Sequence, residues 1–151
     1  MPVQILSYSI FHRKKTPKDE RVLVFVQFPD LMKKVAEAFD AHKVQYLEIK
    51  GSASQKSKNL EKFQNGSVER VLLLNVMDES ASGANLTGAN HAIFLSPLLT
   101  STQEIYTACE TQAIGRLRRF GQTKLVHIWR FFSRNTIDIE IFEQRTGQRL
   151  V

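Results

Sequence analysis

The chain has 151 residues, a formal net charge of +6 and a single cysteine. This length suits one ordinary domain that buries about two-thirds of the surface of its unfolded chain, and one cysteine excludes an internal disulfide. The four histidines lie too far apart in sequence for a familiar metal-ligand spacing, and no apolar run approaches the roughly 20 residues that span a bilayer. We therefore expect a soluble, metal-free, intracellular domain with no membrane partner.

The start of the chain differs in composition from the rest. Its first 21 residues join a short apolar segment to the charged, proline-containing stretch HRKKTPKDER, which is typical of a linker or an exposed lead-in. The compact domain is therefore predicted to occupy residues 22–151. Within it, apolar runs predict strands over residues 22–26, 44–49, 71–74, 92–95 and 125–132.

Helical patterns lie between these runs. The first begins at Pro29 and Asp30, residue types common at helix starts, and places Leu31, Val35, Ala38 and Phe39 on one apolar face. Further helices are predicted over residues 54–64, 101–118 and 136–145. Since strands and helices alternate, and parallel strands need crossover connections that are usually helical, the sequence predicts an α/β domain. Its parallel sheet should carry helices on both faces.

The segment NVMDESASGANLTGAN, residues 75–90, follows the third predicted strand and is rich in small and hydrogen-bonding residues. Loops at the carboxyl ends of parallel strands line the ligand crevice of such sheets. Gly83 and Gly88 would let the backbone approach a phosphate or a sugar closely. A plain connecting loop is the alternative interpretation.

The segment QAIGRLRRFGQ, residues 112–122, opens a region up to Arg134 that holds six basic residues and no acidic one. Such clustering is typical of a polyanion partner. On a helix, Gln112, Arg116 and Arg119 share one face, whereas Arg118 points about 200° away from Arg116. Arg116 and Arg119 are thus predicted to bind one anion together, and Arg118 a separate phosphate or water. The alternative is a solvated helix end.

Two segments match nucleotide-binding motifs only in part. GSASQKS, residues 51–57, is one residue short of a phosphate loop and lacks its second glycine. In the run VLLLNVMDE, Asp78 and Glu79 follow an apolar strand, as magnesium ligands do in nucleotide-binding proteins. Without a phosphate loop, however, nothing in this chain would bind the phosphates of a nucleotide. We therefore predict that this chain alone does not hydrolyse ATP.

Aromatic and sulfur-containing residues are predicted to be structural. Trp129, Phe131 and Phe132 lie in an apolar run, which favours the core over a base-stacking platform, and His127 shares that run. Cys109 lies on the apolar stripe of the third predicted helix, which favours a packed residue over a nucleophile.

Several of these segments, in this order, resemble a known family. QAIGRLRRFGQ, the SGANLTGAN loop before AIFL, and VLVFVQF resemble the second RecA-like lobe of superfamily 2 helicases. GQTKLVHIWRF followed by NTIDIEI is similar to the Swi/Snf-type DNA translocases within that superfamily. The resemblance covers about residues 21–145 and implies a RecA-like helicase C-terminal lobe.

The resemblance also implies residue roles. Arg116 and Arg119 would act as arginine fingers, supported by Gln112, and the residues near ATP would be Gly83, Asn85, Arg116 and Arg119. The residues implied to contact DNA are Gln27, Gly51, Ser52, Ser82, Leu86 and Arg118.

Cofactors and partners follow from the same resemblance. The full-length protein would use ATP and Mg²⁺, with the Mg²⁺ ligands on an N-terminal lobe that this sequence lacks. The implied partners are double-stranded DNA, that N-terminal lobe of the same polypeptide, and chromatin or repair proteins, and the implied location is the nucleus.

The sequence also departs from the family. PLLTSTQEIYTACET replaces a paired-tryptophan PWWNP segment, and Ala81 and Ser82 replace a second glycine that usually precedes the family's GxGLN motif. An arginine expected after the GS loop is absent, with Lys56 and Lys58 nearby. The leading hypothesis is the C-terminal lobe of an ATP-dependent duplex-DNA translocase. A non-catalytic basic nucleic-acid-binding module is the alternative, and a metabolic doubly wound enzyme is disfavoured because no GxGxxG turn follows the first strand.

Overall fold

The computed structural model describes residues 19–150. Its strands are β1 (Val22–Val26), β2 (Tyr46–Glu48), β3 (Val71–Asn75), β4 (His91–Phe94) and β5 (His127–Arg130). They form one sheet in the order β2-β3-β1-β4-β5, and every neighbouring pair is parallel. All five residues of β1 are buried, as expected of a central parallel strand that is covered on both faces. The predicted α/β fold with a parallel sheet is confirmed.

Helices cover both faces of this sheet. They are α1 (Pro29–Ala41), α2 (Ala53–Gln64), α3 (Gln103–Gly115) and α4 (Ile137–Thr146). On one face, Val24 and Leu73 pack with Phe39 of α1. On the other, Phe25 packs with Phe63 of α2 and with residues of α3. No helix within residues 19–150 is long and apolar enough to cross a membrane.

Helix α3 ends three residues before its predicted end at Arg118. After Gly115 the amides of Arg116 and Leu117 bond to carbonyls three residues earlier, which tightens the last turn. The carbonyl of Arg116, which a continuing helix would use, accepts instead from the amide of Leu86 at 3.0 Å. The helical face predicted for Gln112, Arg116 and Arg119 is therefore wrong in its geometry, because a tertiary hydrogen bond ends the helix between them.

Strand β5 corrects the prediction that Trp129 belongs to the core. β5 pairs only with β4 among the described strands, and the Trp129 side chain is 42% exposed. Its Nε1 donates to Nδ1 of His91 at 3.1 Å, and its ring stacks with that of His127. An edge strand leaves part of its surface uncovered, and an apolar run in the sequence does not reveal which strand lies at the edge.

Cys109 is partly buried against the core on the side of α2 and α3, which confirms the prediction that it is a packed residue. Phe131 and Phe132 are partly buried, and the Phe132 ring lies edge-on to Phe142 of α4, 4.8 Å between centroids.

The three residues before β1 are attached to the domain at the amino-terminal edge of the sheet. Asp19 pairs with Lys124 at 2.9 Å, and Glu20 with His91 at 2.8 Å. The buried Arg21 guanidinium lies over the Phe63 ring and donates to the carbonyl oxygens of Phe63, Ser67 and Glu69. We name residues 19–21 the entry clamp. The boundary between lead-in and domain at residue 22 stays a prediction.

Replacing Arg21 by methionine is expected to lower the free energy of unfolding by about 2 kcal/mol, because three carbonyls lose a charged donor in a buried setting. Chemical denaturation of the 151-residue chain measures this. Arg118→Met is the matched control, since Arg118 is exposed, and an equal loss in both variants would contradict the prediction.

Candidate functional site

Polar residues follow the carboxyl ends of β1, β2 and β3. Gln27, directly after β1, is bound at both ends of its amide: Nε2 donates to the carbonyl of Leu99 and Oε1 accepts from the Leu99 amide, each at 2.7 Å. The side chain predicted to meet DNA thus joins β1 to the segment after β4. Gln27 lies at the edge where ligands bind in this class of sheet, but its amide nitrogen and oxygen each already make one hydrogen bond within the chain.

Gly51 and Ser52 form the start of α2. Ser52 caps the helix by accepting from the Gln55 amide, and the Gln55 side chain accepts from the Ser52 amide at 3.0 Å. This reciprocal capping box satisfies two amides that would otherwise be unpaired. Gly51 has φ +88°, and a Cβ here would overlap the Gln55 side-chain oxygen. A pocket of about 440 Å³ lies beside this turn and is lined in part by Lys50 and Lys58.

The segment after β3 leads into SGANLTGAN, residues 82–90, which we name the glycine loop. Asp78 caps a short 3-10 helix, Glu79–Ala81, through its contact with the Ser80 amide. Gly83 then adopts φ +76°, with open space where a Cβ would stand. Asn85 is exposed, whereas Leu86 is buried in the core. Leu86, predicted to contact DNA, therefore anchors the loop through its side chain.

The glycine loop is joined directly to QAIGRLRRFGQ, residues 112–122, which we name the arginine segment. Gln112 Nε2 donates to Ser82 Oγ at 3.1 Å, and Arg119 Nη1 donates to the Gly83 carbonyl at 2.9 Å. The Leu86 amide adds its bond to the Arg116 carbonyl. The structure thus brings Gln112, Arg119, Ser82 and Gly83 together at one surface, although α3 does not continue through the arginines.

Arg116 differs from its neighbours in being buried, with 2% exposure. Its guanidinium lies 5.7 Å from the centroid of the Phe25 ring, and its Nε and Nη1 have no hydrogen-bond partner. Burial lowers the pKa of Arg116 below its ordinary value, against the opposing effect of the Asp78 charge. Arg116 is therefore a desolvated cation with two side-chain donors that have no partner within the described residues.

The Asp78 carboxylate is bound by a lysine of α2. Lys56 Nζ lies 2.6 Å from Asp78 Oδ2, and the two side chains are 24% and 17% exposed. Burial tends to raise the pKa of Asp78, but hydrogen bonds from Lys56 and from Ser80 outweigh it, so the pKa lies below its usual value. The two residues noted in the partial nucleotide motifs thus form an ion pair with each other.

Comparison with known proteins gives this arrangement a family. The sequence profile described as "Helicase conserved C-terminal domain" matches residues 3–121. The chain belongs to this family.

Relatives of this helicase C-terminal domain are much longer proteins. The DNA (cytosine-5-)-methyltransferase DMT5 of Cryptococcus neoformans var. grubii is 52% identical over 131 residues, which are 85% of this chain and 6% of that protein. The DNA repair protein RAD5 of Yarrowia lipolytica is 33% identical over 127 residues, 83% of this chain and 12% of that protein. The chain therefore spans a small fraction of either relative.

A solved structure shares the fold. The crystal structure of the C-terminal part of the Fun30 ATPase domain matches with a TM-score of 0.75 and 21% identity, covering 99% of this chain and 45% of that one. Together with the family profile and the repair-protein relatives, it confirms the resemblance to the second RecA-like lobe of Swi/Snf-type helicases.

Within this helicase domain, the predicted residues fall into two groups. The glycine loop and the arginine segment form one connected surface, while Gln27, Gly51 and Ser52 lie at the ends of β1 and β2. Arg118 is exposed. No group of three or more His, Cys, Asp or Glu residues in the described part of the domain is arranged to hold a metal.

Sequence reasoning missed Gln122, and it missed the ion pair that Lys56 forms. Gln122 Nε2 donates to the carbonyls of Ala89 and Leu117, and so holds the end of the arginine segment against the end of the glycine loop. Its place at the end of QAIGRLRRFGQ was the only sequence signal. Lys56 gave a weaker signal, because its partner Asp78 is 22 positions away and only the fold brings the two together.

Proposed function

We propose that this domain is the second lobe of an ATP-dependent double-stranded DNA translocase that acts in chromatin remodelling or DNA repair in the nucleus. Its site faces ATP bound on the N-terminal lobe of the same polypeptide, where the Mg²⁺ ligands also lie. The names of the relatives support DNA as the substrate, because DNA methylation and DNA repair both act on it. Chromatin or repair proteins are the further partners.

The observation that carries the proposal is the pair of unpartnered donors on the buried Arg116. A buried donor without a partner costs about 1–3 kcal/mol, so native chains rarely keep one without a reason. A phosphate of ATP on the facing lobe would supply the missing acceptor once the Arg116 side chain turns from the Phe25 ring toward the site surface. Guanidinium donors match phosphate oxygens in geometry and charge.

Arg119 supplies the second cation from the surface. Phosphoryl transfer spreads negative charge over the oxygens of the moving group, and a fixed guanidinium stabilises that charge. Gln112, through its bond to Ser82, holds the glycine loop beside the arginine segment, and the exposed Gly83 and Asn85 are the loop residues proposed to approach ATP. These residues bind and orient the phosphates of ATP, whereas the other lobe holds the ATP and its Mg²⁺.

The proposed DNA path runs along the carboxyl edge of the sheet and over the glycine loop. Gly51 and Ser52 present the start of α2, and Lys58 adds positive charge at the adjoining pocket, where Lys50 pairs with Glu48 at 3.2 Å. Arg118 meets a DNA phosphate from the end of the arginine segment. Gln27 holds the segment after β4 at this edge through its bonds to Leu99. Ser82, which is bound by Gln112, and the buried Leu86 fix the position of the loop that the DNA approaches.

Gly83→Val tests the link between the two substrates. In the protein that carries both lobes, we expect the number of base pairs moved per ATP to fall about tenfold. Valine is strained at φ +76°, so the loop would change shape, and this loop is the one proposed to contact both ATP and DNA. Single-turnover translocation, measured beside ATP hydrolysis, gives this ratio.

The matched control for that test is Gly88→Val. Gly88 lies in the same loop with equally open space for a Cβ, but without a positive φ. Equal behaviour of the two variants would contradict the assigned role of Gly83. A non-catalytic DNA-binding module, the alternative function, would instead bind DNA with no dependence on ATP in any variant.

A further inference from the structure

The arginine segment ends in a tight turn that runs from Arg119 to Gln122. The Gln122 amide donates to the Arg119 carbonyl at 3.0 Å, and Gly121, the third residue of the turn, has φ +98°. A positive φ at this position favours glycine. The turn therefore has a defined backbone geometry, and it begins at a residue whose guanidinium is proposed to act on ATP.

Within the part of the chain that the structure describes, apolar packing does not hold this turn in place. Leu117 is fully buried, but Arg118 and Arg119 are exposed. The Phe120 side chain is 103% exposed, so it buries no apolar area that would stabilise the turn. Gly121 has no side chain to pack. The position of the turn therefore depends on hydrogen bonds.

Gln122 makes three of these hydrogen bonds with its side chain. Nε2 donates to the carbonyls of Ala89 at 2.8 Å and Leu117 at 3.1 Å, and Oε1 accepts from the Lys124 amide at 3.0 Å. Ala89 and Leu117 are buried, so both donated bonds attach the turn to the core. One side chain therefore joins the end of the turn to the glycine loop.

The start of the turn is attached more weakly. Arg119 Nε donates to the Gly115 carbonyl at 3.1 Å, and Nη1 donates to the Gly83 carbonyl at 2.9 Å. The arginine is exposed, and hydrogen bonds at an exposed site compete with water. Because the Arg119 carbonyl is bonded to the Gln122 amide, a displacement of Gln122 would also displace the Arg119 backbone.

We propose that Gln122 is a positioning residue for Arg119: its side-chain amide holds the turn against the glycine loop and so directs the Arg119 guanidinium toward the phosphates of ATP. This inference rests on the proposed function of Arg119 and adds one residue to it. Gln122 touches no substrate and acts through the arginine.

Gln122→Glu, made in the polypeptide that carries both lobes, removes both donated bonds with little change in shape. It is expected to lower the kcat of DNA-stimulated ATP hydrolysis by about tenfold or more, since a catalytic group displaced by about 1 Å has effects of this size. The KM for ATP should stay within about threefold, because the other lobe holds the ATP. A normal kcat would overturn the proposal. Should Gln122→Glu fail to fold, the uncharged Gln122→Met replaces it.

A double-mutant cycle separates this role from a general structural one. In the Arg119→Ala background, Gln122→Glu should change kcat by less than about twofold, because no arginine remains to be positioned. If the two losses multiplied instead, Gln122 would act independently of Arg119, and the proposal would be overturned. Normal ATP hydrolysis in Arg119→Ala alone defeats the proposed function of Arg119. A loss in Arg119→Ala with normal hydrolysis in Gln122→Glu defeats only the inference drawn for Gln122.

Hydrogen exchange of the same two-lobe polypeptide measures the turn without ATP hydrolysis. In Gln122→Glu, the amides of Gln122 and Lys124 should exchange at least about tenfold faster, while those of β1 keep their rates. Arg21→Met is the matched control, since it also removes a donor from carbonyl oxygens, and it should leave kcat unchanged. Unaltered exchange at the turn in Gln122→Glu, or an equal loss of kcat in Arg21→Met, would contradict the positioning role.

Discussion

Arg119→Ala, made in the polypeptide that carries both lobes, is expected to lower the kcat of DNA-stimulated ATP hydrolysis by roughly 10³-fold or more, the usual effect of losing an arginine finger. The side chain is exposed and bonds to the Gly83 and Gly115 carbonyls. Its removal should therefore cost less than about 1 kcal/mol of stability. Steady-state ATP turnover beside thermal unfolding measures both quantities.

Arg118→Ala provides the comparison for this result. Arg118 is a neighbouring exposed arginine, so a general loss of positive charge would affect both variants alike. We expect Arg118→Ala to be much milder in kcat, with its main effect on DNA affinity. Near-normal turnover of Arg119→Ala would remove Arg119 from the catalytic assignment.

The isolated 151-residue chain is expected to bind duplex DNA weakly, without sequence preference and with a steep dependence on salt. If three or four basic residues reach phosphates, the slope of log affinity against log salt is about −3, or roughly 60-fold weaker binding between about 50 and about 200 mM. The same chain should hydrolyse no ATP, because it has no phosphate loop. Titration of labelled duplex at several salt concentrations measures the slope.

Lys58→Ala refines the DNA prediction. Lys58 lines the pocket beside Gly51, and loss of one phosphate contact should reduce the magnitude of the salt slope by about 1. Lys33→Ala, on the exposed side of α1, should leave the slope as it is. A sequence-specific complex with no salt dependence would refute a partner recognised through its phosphates.

The parallel sheet could be predicted from the sequence, because each strand and helix is recognised from residues that are close together in the chain. Helix α1 and strands β1 and β3 were predicted within a few residues of their observed bounds. The order of strands, however, depends on which surfaces cover each other. Trp129 illustrates this: its run is as apolar as that of a buried strand, yet β5 lies at the edge of the described sheet.

Two segments of the candidate site could be predicted from the sequence, but their geometry could not. Motif order and spacing identified the glycine loop and the arginine segment, and the fold joins them through Gln112 and Arg119. The burial of Arg116 could not be predicted, because it depends on the end of α3, where Leu86 takes the Arg116 carbonyl. A helical projection assumes that the helix continues, and here a tertiary hydrogen bond ends it.

The entry clamp has a mechanical consequence. Its contacts with His91, with Lys124 and with Glu69, which precedes β3, attach residues 19–21 at the amino ends of the strands. Gln27, Ser52 and Asp78 follow the carboxyl ends, separated from the clamp by the five residues of β1, or roughly 16 Å of extended chain. A force applied to the chain before residue 19 would therefore act first on the hydrogen-bonded sheet, at the end opposite the loops that are proposed to contact ATP and DNA.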